Sequence, residues 1–148
     1  SYAMAAADMV KIPLYSAVAE GGPGAVNHHA APESYLSFTR EYARVQFGSS
    51  GSSLACLKAA GDSMSPYINA GDVLIVDVSD RQLTKDGAAY VLQIDETTVV
   101  KRLHRLSREK ISIRSDNPHG WNRDCKIEEM EAEGIGISGR VVAVIKMA

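Results

Sequence analysis

Short runs rich in apolar and β-branched residues, each closed by a glycine, aspartate or asparagine turn, dominate this chain from Leu54 onward. Leu54–Ala59, Val73–Val78, Ala88–Ile94, Thr97–Leu103, Lys110–Arg114 and Arg140–Lys146 are the runs in question. Each is too short for a stable amphipathic helix and suits a pleated, half-buried strand. Strands at this spacing, with few helical patterns between them, predict a mainly β fold: a curled mixed sheet or partly closed barrel with short helices. A chain of 148 residues, 45% hydrophobic and 23% charged, is sized for one compact domain with a real core.

The first third is less regular. Residues 1–10 read as a tag or hinge remnant ahead of a domain at 11–148. Ile12-Pro13-Leu14-Tyr15 reads as a short strand whose proline favours a sheet edge. Ala19-Glu20-Gly21-Gly22-Pro23-Gly24 reads as a flexible turn, and Ala25 to Glu33 as a loop. Tyr35 to Tyr42 alternates like a strand yet also permits a helix; the reading favours a helix over 39–46 that ends near Gly48. A Gly/Ser loop follows to Ser53.

The chemistry concentrates in Ala60-Gly61-Asp62-Ser63-Met64-Ser65-Pro66 and the Gly71-Asp72 turn that follows. A serine on a glycine-led turn sits beside free backbone N–H groups, which suits a nucleophile with an oxyanion site. The competing reading is a serine that caps a one-turn helix. The two are compatible, because a helix N-terminus is where amides meet an anion. No Asp-His pair follows at familiar spacing; instead Lys101 sits mid-strand in Thr97–Leu103. Period two puts Val99, Lys101 and Leu103 on one face and Thr98, Val100 and Arg102 on the other. A lysine base must lose its proton near neutral pH, at about 1.4 kcal/mol per pKa unit, and burial on an apolar face pushes it that way. An ordinary lysine would instead lay its stem on that face and keep its ammonium in water. The arrangement permits a Ser-Lys dyad. Asp72 and Asp77 read as structural, one binding turn amides and one ending a strand. Arg140 either pairs with a carboxylate or is exposed.

Bulk properties narrow the partners. A net charge of −2 is not the footprint of a nucleic-acid-binding chain. Cys56 and Cys125 form no C-x-x-C pattern and read as reduced thiols. His28, His29, His104 and His119 read as ordinary surface or turn histidines, so neither metal nor cofactor is expected. No stretch approaches the ~20 apolar residues of a membrane span. No secretory signal is visible either, and a cytoplasmic location is expected.

Gly61-Asp62-Ser63-Met64, the Gly71-Asp72 turn and Val100-Lys101-Arg102-Leu103 resemble the LexA-type self-cleaving serine peptidase family. Within it, the likeness is strongest to the C-terminal domains of phage and prophage repressors. Lys11-Ile12-Pro13-Leu14-Tyr15, Ser115-Asp116-Asn117-Pro118 and Gly139-Arg140-Val141-Val142 are also similar to repressor segments, so the resemblance covers roughly residues 11–146. It implies the LexA C-terminal fold, with Ser63 as nucleophile, Lys101 as general base and the backbone amides of Asp62 and Ser63 as oxyanion donors. It further implies a homodimer or higher oligomer, with the strand around Arg140–Lys146 as a candidate surface, and self-cleavage stimulated by the RecA filament. Operator DNA would be bound only through an N-terminal domain outside this chain. Bacterial signal peptidases share the Ser-Met turn and the strand lysine but carry a membrane anchor.

Family members cut their own chain at an Ala-Gly or Cys-Gly bond upstream of the serine. Here that window reads Ala19-Glu20-Gly21-Gly22, and Glu20 separates the alanine from the glycines. A carboxylate brought near Lys101 would favour its protonated form and oppose catalysis. Two rivals follow. One is a catalytically silent repressor oligomerisation module. The other is a subunit of a mutagenesis polymerase of the UmuD type.

Overall fold

The runs that read as strands from Leu54 onward are strands in the computed structural model, which describes residues 8–16 and 31–148. The expected cleavage loop, Ala19 to Gly22, lies outside the described residues, as do the turn to Gly24 and most of the Ala25–Glu33 loop. In chain order the elements are β1 (Met9–Tyr15), β2 (Ser34–Thr39), α1 (Arg40–Phe47), β3 (Leu54–Lys58), β4 (Val73–Asp77), β5 (Ala89–Ile94), β6 (Thr97–Arg105), β7 (Lys110–Arg114), β8 (Arg123–Lys126), a 3-10 turn (Ile127–Glu129) and β9 (Ile135–Ile145).

These strands make one sheet of nine, in the order β2-β1-β3-β4-β9-β5-β6-β7-β8. β1 and β3 run parallel and every other neighbouring pair runs antiparallel, so the sheet is mixed, as expected. It does not close into a barrel; β2 and β8 are its edges. β4 shows why the middle strands are apolar throughout. Leu74 and Val76 pack into one cluster with Leu57, Met64 and Val91, while Val73 and Ile75 pack into another with Ile12, Phe47 and Cys56. Both faces of that strand are core. A third cluster, around Tyr90, Leu92, Leu103 and Ile113, fills the β5–β8 end.

Several expectations change on contact with the structure. Pro13 is not in an edge strand, because β1 lies between β2 and β3. The ladder to β3 begins only at Leu14, so the missing N–H of Pro13 precedes it. The ambiguous Tyr35–Tyr42 segment is both things in succession: a strand to Thr39, then a helix. Thr39 is the hinge, its hydroxyl accepting a 3.0 Å hydrogen bond from the Tyr42 N–H, and Gly48 closes the helix in the left-handed region at φ +75°. β9 starts at Ile135 rather than Arg140. Its Gly139 allows close passage of β4, since a Cβ there would fall 2.7 Å from the Asp77 carbonyl oxygen. β9 lies between β4 and β5 but divides its length between them: Ile135–Arg140 pairs with β5 and Arg140–Ile145 with β4.

Candidate active site

β3 delivers the chain to the serine turn. After Lys58 the chain passes through Gly61, whose φ of +74° most side chains would resist, and reaches Asp62, Ser63 and Met64. Met64 is buried and packs with Leu57, Ala59 and Ile68, so it pins the turn from below while Ser63 stays half-exposed above it. The turn is also held from the side. Asn117 donates its backbone N–H to the Ser63 carbonyl and its side-chain amide to the Asp62 carbonyl, both at 3.0 Å. Among the described residues, the N–H groups of Asp62 and Ser63 have no hydrogen-bond partner.

Lys101 comes from the middle of β6, beside Tyr90 of β5, and is only 1% exposed. The period-two reading therefore places it correctly with buried Leu103. Its Nζ donates to Ser115 Oγ at 2.6 Å and lies 4.2 Å from the centre of the Trp121 ring. Ser115 Oγ in turn donates to the Trp121 carbonyl at 2.7 Å. No carboxylate pairs with Lys101 among the described residues, and burial pushes its pKa below the usual lysine range. Arg102, on the opposite face, takes the carboxylate instead: Nε and Nη2 donate to Asp116 at 2.7 and 3.0 Å, and the guanidinium stacks 4.6 Å from the Tyr67 ring.

Ser63 and Lys101 line one cleft of about 610 Å³, together with Leu57, Lys58, His119 and Trp121. No hydrogen bond joins the two; the amine is bonded to Ser115 and the serine turn to Asn117. The flanks of residues 17–30 attach at the same place. Tyr15 is the register partner of Leu57, and Glu33 pairs with Lys58, both of which line the cleft.

Asp72, Asp77 and Arg140 make structural contacts. Asp72 is buried, accepts from the backbone N–H groups of Asn69 and Met147, and pairs with Lys146; chiefly through that Lys146 bond, its pKa falls to about 2. Asp77 accepts from the N–H and hydroxyl of Ser79 at the end of β4. Arg140 pairs with Asp80 at 2.7 Å. Ser115, Asn117 and Trp121 are site residues that the strand-and-turn reading missed. A signal existed for Ser115: Arg102 pairs with Arg114 across β6 and β7, which sets Ser115 opposite Lys101.

Comparison with known proteins places the chain. The Peptidase S24-like family model matches residues 13–142, and the chain belongs to that family. It is 33% identical over 138 residues to the 26 kDa repressor protein of Escherichia phage HK022, covering 91% of this chain and 57% of that protein. It is 36% identical over 98 residues to Repressor protein CI of Enterobacteria phage phi80, covering 66% of this chain and 39% of that one. It is 30% identical over 136 residues to the HTH-type transcriptional regulator PrtR of Pseudomonas aeruginosa, covering 90% and 52% respectively. The chain thus spans about half the length of the curated relatives it matches. Among the described residues, no helix is long and apolar enough to cross a membrane.

Proposed function

We propose that this chain is the C-terminal regulatory and self-associating domain of a phage-type repressor, and that Ser63 and Lys101 form a dyad that cuts the chain's own Ala19–Gly22 segment. One observation carries the reading: the serine and the buried lysine line a single cleft, and the residues flanking 17–30 pair with Leu57 and Lys58 of its wall. Gly21 is six positions beyond Tyr15, a reach of up to about 20 Å. A tethered substrate raises the effective concentration seen by a weak nucleophile, which is why a serine without histidine suffices.

In this scheme Ser63 Oγ attacks the carbonyl carbon of the scissile peptide as its proton passes to neutral Lys101 Nζ. The amides of Asp62 and Ser63 receive the oxyanion. Lys101 returns the proton to the leaving amine, and water then hydrolyses the acyl-serine ester. Self-association pairs two operator-binding modules, so the second DNA contact becomes effectively intramolecular, and cutting the link weakens binding without touching a base contact. The RecA filament is the proposed stimulus, and operator DNA the target of the N-terminal part. Glu20 favours a second reading, in which the same domain is catalytically silent and serves only to associate.

Intact mass after incubation at pH 7 and pH 10 separates the two. The dyad requires fragments parting between Ala19 and Gly22, more at pH 10, and none from Ser63→Ala or Lys101→Ala. A chain that stays whole for days, with and without activated RecA filament, supports the silent module.

A further inference from the structure

Resting on that reading, we infer that the segment Ser115-Asp116-Asn117 is the positioning element of the site: Ser115 aims the amine of Lys101, and Asn117 aims the oxyanion amide of Ser63. Two of the three residues reach different parts of the cleft wall, and the third anchors the other face of β6. Ser115 holds Lys101, Asp116 holds Arg102 in a two-pronged ion pair, and Asn117 holds the serine turn. One short stretch after β7 therefore sets β6 against the turn that follows β3.

The direction of each bond matters. The Ser115 hydroxyl hydrogen is spent on the Trp121 carbonyl, so towards Nζ this oxygen can only accept. A neutral amine has two N–H bonds and one lone pair. With one N–H on Ser115 Oγ and the Trp121 ring covering a second side, the lone pair is left for the cleft, where Ser63 stands. On the other partner, planarity fixes the result. The Asp62 carbonyl and the Ser63 N–H belong to one peptide group and point in opposite directions. By gripping that carbonyl, Asn117 turns the Ser63 N–H away from itself, and that N–H has no other partner among the described residues.

The two halves predict different signatures. A hydrogen bond accepted from the ammonium favours the charged lysine, so its removal in Ser115→Ala lowers the Lys101 titration midpoint while the cleavage plateau at high pH falls. The ionisable groups around the cleft are Lys58 paired with Glu33, Asp62 and His119; Tyr90 flanks Lys101 on β5, and Arg102 is neutralised by Asp116 on the other face of β6. None of them is altered by these variants. Asn117→Ala leaves the midpoint in place and lowers the plateau alone, by about 10- to 100-fold for a misplaced group.

The test reads the Lys101 ε-carbon resonance against pH in ¹³C-lysine-labelled protein carrying Ser63→Ala, which cannot cut itself, and cleavage rates in chains that keep Ser63. Lys101→Arg identifies the resonance, and thermal unfolding confirms that each variant is folded. A midpoint that falls in Ser115→Ala, with both plateaus reduced, is the expected result. A midpoint that stays or rises in Ser115→Ala, or an Asn117→Ala chain that cuts at the parent rate, overturns the assignment. If the midpoint falls but the parent chain never cuts, the aim of Ser115 stands and the peptidase reading goes. If the parent cuts and the midpoint is unmoved, the reverse holds.

Discussion

Gly120→Ala gives the sharpest structural prediction, because it pushes on the segment that holds Lys101. A Cβ at Gly120 would lie 2.5 Å from Ser115 Cβ, 2.6 Å from Ser115 Oγ and 3.2 Å from the Asn117 carbonyl oxygen. Carbon atoms in contact sit at about 3.5–4.0 Å, so the shortfall is roughly 1 Å. Rotating the Ser115 side chain moves Oγ but not Cβ, and Oγ is already committed to Lys101 and Trp121. The backbone must yield, although the Ser115 N–H is itself tied to Asn122 at 2.8 Å. Overpacking of this kind costs about 1–3 kcal/mol. At about 2–4 °C per kcal/mol for a chain of this size, the melting temperature should fall by roughly 2–12 °C. Gly136→Ala supplies the control, since a Cβ there meets nothing within 4 Å, and it should stay within about 0.5 kcal/mol of the parent. Thermal unfolding followed by circular dichroism compares the three. If Gly120→Ala melts with the parent and with Gly136→Ala, the packing of Ser115 against Gly120 is not as described.

Three further outcomes are expected. Asp72 has a folded pKa of about 2 against an ordinary 3.8, so its contribution to stability is present above the higher value and fades as pH falls through the lower one. Urea midpoints at pH 5, 3 and 2 should drop less steeply in Asp72→Asn than in the parent, and parallel curves would refute the linkage. Burial pushes the Cys56 thiol up to about 12 and raises Cys125 as well, so a thiol-directed disulfide reagent should find neither in the native chain at neutral pH and both in guanidinium. Thr39→Ala removes the cap of α1 and should cost about 1 kcal/mol by urea unfolding, with Thr39→Ser close to the parent.

Strand content was readable because it rests on local rules; for Ser63 and Lys101 the local pattern only permits a dyad, and the resemblance supplies the assignment. A buried run such as Val73–Val76 is apolar on both faces, and Gly61 marks a turn that a side chain would resist. Period two alone put Lys101 beside Leu103 in the interior. What escaped depends on packing or long-range register. β8 reads Arg-Asp-Cys-Lys, with only Cys125 buried, and a charged edge strand lacks the apolar pattern that announces a strand. The last strand reads as one only from Arg140, whereas β9 begins at Ile135 and Gly139 within it lets β4 pass close. Trp121 reaches Lys101 from an irregular stretch, so neither periodicity nor register connects the two. The pairing of Arg140 with Asp80 is of the same kind, joining residues 60 apart in sequence.

The dyad itself is tested most directly by the rate of self-cleavage as a function of pH, in the parent chain and in Lys101→Ala. The account predicts a rate that rises through a single titration below the ordinary lysine range, because burial lowers the pKa of Lys101, and a Lys101→Ala chain that stays uncut across the same range. A parent chain that remains whole at every pH with activated RecA filament present, or a Lys101→Ala chain that keeps the parent's profile, would contradict it.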